Sequence, residues 1–418
     1  MKKYIKTIKN YQCALLILVG MVYLGSRSIP SGGMGYTGAA ADSGKFAGSA
    51  ACLSCHKEIS ESHRGTAHYR DSRPATKESI KGSFEDGKNH FTFNKFAEVV
   101  MESKDDGLWQ TGYLNGTEIE SERFDVVIGS GRKGQTYLYW KDEKLFQLPV
   151  SYYTPLNDWC NSPGYPKTFP RFNRPIPAHC IECHGTYARA ENTTDGGSRF
   201  VAMQILYGVD CERCHGAAAE HVAFHTAHPG EKAGKFILNA RHMDRQQRLD
   251  ACALCHSGPR DELKPAFTFQ TGDRLDDFSA PRFSRDSLPN LDVHGNQYGL
   301  LLSSKCYQKS AELDCSSCHN VHVNEANNVA VFSRRCVTCH NGNDHPGCSL
   351  AAVATMKLAD NCIDCHMPSL PSRKIFLQLS DTSKSTPDLV RTHRVAIYPD
   401  MTKLYLKKMK AQSATRVN

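Results

Sequence analysis

The chain has 418 residues, 40% of them apolar, with 51 basic and 43 acidic side chains and 18 cysteines. That length allows two or three ordinary domains, and the apolar fraction is somewhat low for a globular protein. The formal charge of +8 does not make a nucleic-acid-binding face, because half of it comes from Lys2, Lys3, Lys6 and Lys9 at the N-terminus.

In chain order, the basic start MKKYIKTIKN is followed by an apolar run of 13 residues from Cys13 to Gly25. Such a run fits a signal-peptide core and is short for a membrane span. Residues 1–26 therefore read as a signal peptide or an uncleaved N-terminal anchor, and the remainder as exported. A Gly/Ala/Ser-rich linker then leads into a first C-x-x-C-H unit, together residues 27–83. Residues 84–155 change character: FTFNKF, RFDVVI, TYLYW and LFQLPVSYY are short, aromatic or β-branched runs with Asn115-Gly116 as a hairpin turn. Residues 156–400 hold six further C-x-x-C-H units among Pro-rich loops, with short helical patterns at 203–207 and 350–358. Residues 401–418 form a basic tail that reads as a solvated helix.

The seven units are Cys52, Cys55 and His56; Cys180, Cys183 and His184; Cys211, Cys214 and His215; Cys252, Cys255 and His256; Cys315, Cys318 and His319; Cys336, Cys339 and His340; and Cys362, Cys365 and His366. Every C-x-x-C in the chain is followed by His. Two thiols on one turn can each form a thioether to a haem vinyl group, and the next residue then offers its imidazole to the iron. Zinc ribbons need C-x-x-C pairs in twos and have no use for a trailing His on each, and this set is odd in number. The implied cofactor is seven covalently bound haem c groups. At about 60 residues per haem, porphyrin should supply much of the core. Haem propionates also shift the charge of the mature protein to about −3. Of the cysteines left over, Cys306 and Cys348 flank the fifth and sixth units and are the expected disulfide.

Twelve histidines lie outside the motifs, enough to cap seven irons on the distal side. Iron held between two histidines suits electron transfer, whereas an open distal position suits chemistry. The stretches CLSCHKEISESHRGTAHY, GVDCERCHGAAAEH, CSSCHNVH and CIDCHMP with RTHRV resemble the multihaem c-type cytochrome superfamily. That group includes hydroxylamine oxidoreductase, pentahaem nitrite reductase and a tetrahaem nitrifier cytochrome. The resemblance assigns His68, His221, His322 and His393 as distal ligands. His294 joins them as a fifth, and His242 and His345 complete a set of seven; His63 and His90 read as structural. No C-x-x-C-K unit is present, which counts against nitrite reductase activity. No catalytic residue stands out.

The expected fold is mainly α with extensive loops wrapped around a haem stack, plus a small inserted antiparallel β element. The expected function is an exported seven-haem electron-transfer protein of an extracytoplasmic respiratory chain. Its partners would be other cytochromes or a membrane quinol oxidoreductase, and its place periplasmic or anchored through the N-terminus. The alternative is an oxidoreductase acting on a small nitrogen or sulfur compound at one open haem.

Overall fold

A computed structural model describes residues 45–104, 106–341, 348, 360–379 and 385–415, all within the unit Ala39–Asn418. The signal segment, His345 and the helical pattern at 350–358 lie outside the described residues. Strand formation follows the alternation seen in the sequence. Along Ala97–Lys104, Ala97, Val99 and Met101 point inward and their neighbours outward. This strand sits in a four-stranded antiparallel meander with His90–Asn94, Gly107–Leu114 and Thr117–Arg123. Its last hairpin closes on Asn115-Gly116, both in the left-handed region (φ 51° and 75°), as a two-residue turn of this kind requires.

The β structure is not a small insertion, and the fold is not mainly α. A nine-stranded sheet draws in Ser72–Pro74, Val126–Ile128, Gly134–Lys141, Lys144–Gln147, Ser198–Tyr207 and Gly185–Asn192 along its main path. Val150–Tyr153, Asp158–Asn161 and Arg174–Pro175 pair onto it from the side. The second C-x-x-C-H unit thus lies in the chain between two of these strands, Arg174–Pro175 and Gly185–Asn192. The segment 203–207, expected to be helical, is the end of a ten-residue strand. The GTYARAEN run has good helix formers but pairs instead with its partner strand through a turn at Thr193–Gly197, where Asp195 accepts from Gly197 N and Thr193 Oγ1. A further hairpin, Ser369–Gln378 with Ser385–Arg391, follows the last unit. It is tied to the large sheet by Lys133 Nζ and Tyr153 Oη, which donate to buried Asp388 at 2.9 and 2.7 Å.

The apolar core is concentrated in the sheets. One cluster joins Phe91, Phe93, Phe124, Tyr137, Tyr139, Tyr152, Trp159 and Phe172 with aliphatic neighbours. A second surrounds Leu138, Leu145, Ile181, Phe200 and Ile205 and reaches the second haem unit. Among the described residues beyond 208 there is one small cluster, around Ala253, Phe269 and Leu275. Trp159 anchors the first cluster, its Nε1 donating to the carbonyls of Ser83 (3.2 Å) and Lys88 (3.0 Å). Gly82 lies against its ring, and a Cβ there would overlap the indole. Gly82→Ala is expected to cost about 1–3 kcal/mol through overpacking, read as a lower urea midpoint with an unchanged slope.

Helices are short apart from Arg245–His256 and the C-terminal Pro399–Thr415, which carries the basic tail. No described helix is long and apolar enough to cross a membrane. Cys306 and Cys348 form no disulfide, so the expected bridge between them is absent.

Candidate metal centres

The C-x-x-C-H units fold as single helical turns. The His N–H donates to the first Cys carbonyl in the units ending at His56 (2.8 Å), His319 (2.9 Å), His340 (3.1 Å) and His366 (3.0 Å). Residues i, i+3 and i+4 then share one face, so both thiols and the imidazole point to the same side. Acidic caps start several of these turns. Asp210 accepts from Cys211 N at 2.7 Å, and Asp314 accepts from Ser316 N at 2.8 Å. Asp244 and Gln247 form a capping box for Arg245–His256, which ends on the fourth unit.

The variable residues inside the motifs hold the units to the rest of the chain. Glu212 accepts from Ala47 N, Gly48 N and Ala218 N at 2.8–2.9 Å, locking the first unit to the third. Glu182 accepts from Phe267 N at 2.6 Å and lies 3.7 Å from Arg213 of the third unit. Glu325 accepts from Asn320 N (3.0 Å) and from both terminal nitrogens of Arg335, clamping the fifth unit to the helix Val329–Val337 that leads to the sixth. The Arg335 hydrogen bonds bring the Glu325 carboxyl down to about 2. A depressed carboxylate stabilises fully above its unfolded value of about 4.3 and loses that contribution as pH falls towards 2. Wild type and Glu325→Gln should therefore differ in unfolding midpoint at pH 6 and converge near pH 2.

Among the described residues, four motif histidines each face a second imidazole across a gap. Ring centroids are 6.5 Å apart for His56 and His221, 6.2 Å for His215 and His322, 6.1 Å for His319 and His393, and 6.2 Å for His68 and His256. With metal–nitrogen bonds of about 2.0 Å and about 1.1 Å from nitrogen to ring centre, a metal between two imidazoles separates the centroids by about 6.2 Å. The residues fit one iron in each gap. Burial pushes His68 and His393 down to about 4 and also lowers His256, His319 and His322. These rings are neutral at pH 7, the form that ligates iron.

Spacing alone is not sufficient, since His63 also lies 6.2 Å from His322. The His63 ring is engaged on both sides, however, with Nε2 3.2 Å from the Val209 carbonyl and Nδ1 3.5 Å from Thr66 Oγ1. By contrast His215 and His221 use only Nδ1, against the carbonyls of Leu238 (3.0 Å) and Lys235 (2.7 Å), leaving Nε2 for a metal. His294 is half-exposed with Nδ1 3.9 Å from Asp388 and is not brought to a motif histidine. His242 ends an exposed turn, Ala240–His242, and likewise faces none of them. Among the described residues, no imidazole lies at the pair spacing from His184. Its Nδ1 is 2.9 Å from the Asp71 carboxylate.

The units also touch one another. Cys52 lies beside Cys211, Cys183 beside Cys255, Cys252 beside Cys315 and Cys336 beside Cys362. Cys214 lies near enough to Cys252, and Cys318 to Cys336, to disfavour ionisation there. Sequence reasoning missed these contacts and the role of Asp71, because neither lies close along the chain.

No curated protein matches the chain. The family model described as cytochrome c554 and c-prime matches residues 170–216, the stretch that holds the second and third units. Among solved structures, the outer cell wall cytochrome OcwA superposes with a TM-score of 0.53 at 16% identity, covering 86% of this chain and 81% of that one. At that identity the likeness concerns the fold. With the motifs and their geometry, these findings support a multihaem c-type cytochrome carrying covalently bound haem c.

Proposed function

We propose that this chain is an exported seven-haem cytochrome that conducts electrons between redox proteins outside the cytoplasm. The observation that carries the reading is the set of four histidine pairs at 6.1–6.5 Å, each fitting an iron with no open position. In this reading His221 caps haem one, His322 haem three, His68 haem four and His393 haem five. His294, His242 and His345 are left as candidates for haems two, six and seven.

The distal histidines interleave the units: each of these four caps one haem from a segment that follows another. Cysteine neighbours link the units in the order one, three, four, five, six and seven, with unit two joining through four, so haems held there would follow that order. Such a chain passes electrons along its length, and ligation, burial and nearby charge set each potential. The resemblance to the hydroxylamine oxidoreductase and pentahaem nitrite reductase superfamily supports this interleaved ligation. The N-terminal segment and the location in the name of OcwA support an extracytoplasmic place, with attachment through the N-terminus and a quinol oxidoreductase or another cytochrome as donor.

A second reading, chemistry on a small nitrogen or sulfur compound, would use a haem among those without a placed distal histidine. Among the described residues no imidazole lies at the pair spacing from His184 or His366. Ferric EPR separates the two. Low-spin signals alone, together with no turnover of nitrite, hydroxylamine or tetrathionate, support the conduit. One high-spin haem with turnover supports the enzyme and overturns the pure conduit.

A further inference from the structure

The axial histidines differ in what holds their second nitrogen. His215 and His366 face backbone carbonyls, of Leu238 and Ala396, each at 3.0 Å. His184 instead faces a carboxylate, with Nδ1 2.9 Å from Asp71 Oδ2. The contact is built by the fold. Asp71 N donates to His68 O at 3.1 Å, and Gly129 N donates to Asp71 O at 2.5 Å. The next residue, Ser72, starts a strand paired with Val126–Ile128, and its hydroxyl donates to the His184 carbonyl at 2.5 Å. The segment is therefore fixed to the second unit at both the ring and the backbone of its histidine.

We propose that Asp71 is a positioning residue that makes the iron of haem two harder to reduce through a charged hydrogen bond to His184. This rests on His184 being the proximal ligand, as in the reading above. Nδ1–H donates to a full negative charge, so electron density moves towards Nε2 and the iron it binds, which favours the ferric state. Reduction of this centre takes one electron from an adjoining ferrous haem. No proton need move, because Nδ1 keeps its hydrogen and Asp71 its charge. Haem four would be the adjoining haem, since Cys183 lies beside Cys255. Asp71 lies three residues after His68, the residue facing His256, so one turn of chain serves both centres.

The test uses the mature holoprotein and its Asp71→Asn and Asp71→Glu variants, titrated by spectroelectrochemistry. Asn keeps the shape and removes the charge. One of the haem waves should then shift towards easier reduction by tenfold or more in its equilibrium constant, equal to about 59 mV for one electron. The other waves should hold, and Asp71→Glu should recover most of the shift. Asp71→Ser, which also removes the charge, gives the same readout should the Asn variant fail to mature. Superimposable titrations, or an equal shift of every wave, would overturn the proposal. Peptide mass spectrometry distinguishes the deeper failure: bare Cys180 and Cys183 in the wild type would overturn the ligand reading itself, and this inference with it.

Discussion

Replacement of His393 by alanine is expected to turn one low-spin haem into a high-spin centre that binds carbon monoxide when reduced. The His393 ring lies 6.1 Å from His319 and nearly parallel to it, at 26°. Its backbone is fixed beside the fifth unit, with Ser304 Oγ donating to the His393 carbonyl and accepting from Val395 N. Removing the side chain leaves this frame in place and opens one face of one iron, so the expected change is one haem equivalent of high-spin signal. The same substitution at His90, on the exposed edge of the meander, should leave the spectrum untouched. A spectrum of His393→Ala identical to wild type would remove His393 from the ligand set.

Protein matured without thioether attachment should keep its sheets and lose the rest. The aromatic cluster around Trp159 contains no motif residue, so residues 72–207 have a core of their own. The described residues beyond 208 hold one small apolar cluster, and burial there would depend on porphyrin. Limited proteolysis of chain made without haem attachment should leave a resistant fragment close to 72–207. A stability gap of about 3 kcal/mol between the two regions would make cleavage beyond 208 roughly a hundredfold faster. Uniform digestion of the whole chain would show that the sheets also depend on haem.

The motif chemistry was legible in the sequence because C-x-x-C-H is local: one helical turn contains both thiols and the imidazole. Strands within 84–155 were legible for a similar reason, since alternation and the Asn115-Gly116 turn act over a few residues: FTFNKF lies in the meander, and RFDVVI, TYLYW and LFQLPVSYY supply strands of the larger sheet. The part of the larger sheet beyond residue 155 was not. Its strands Gly185–Asn192 and Ser198–Tyr207 sit between two haem units, and Ala188, Ala190 and Glu191 read as helix formers. What places them in the sheet is pairing with each other and, through Arg199 and Lys144, with the strand Lys144–Gln147, which no local propensity reports. The histidines show the same division. His68, His221 and His322 follow a motif histidine by 12, 6 and 3 residues, whereas the loop carrying His294 is placed by long-range contacts such as Asp292 with Ser372 and Arg373. The Asp71–His184 contact spans 113 residues and became visible only once the fold joined them.

The central claim is that every C-x-x-C-H unit carries a covalent haem. A pyridine haemochrome count per chain, combined with mass mapping of the seven motif peptides, tests it most directly. Seven haems per chain, one on each of the peptides containing His56, His184, His215, His256, His319, His340 and His366, is the result this account predicts. A lower count with any motif bearing free thiols would contradict it.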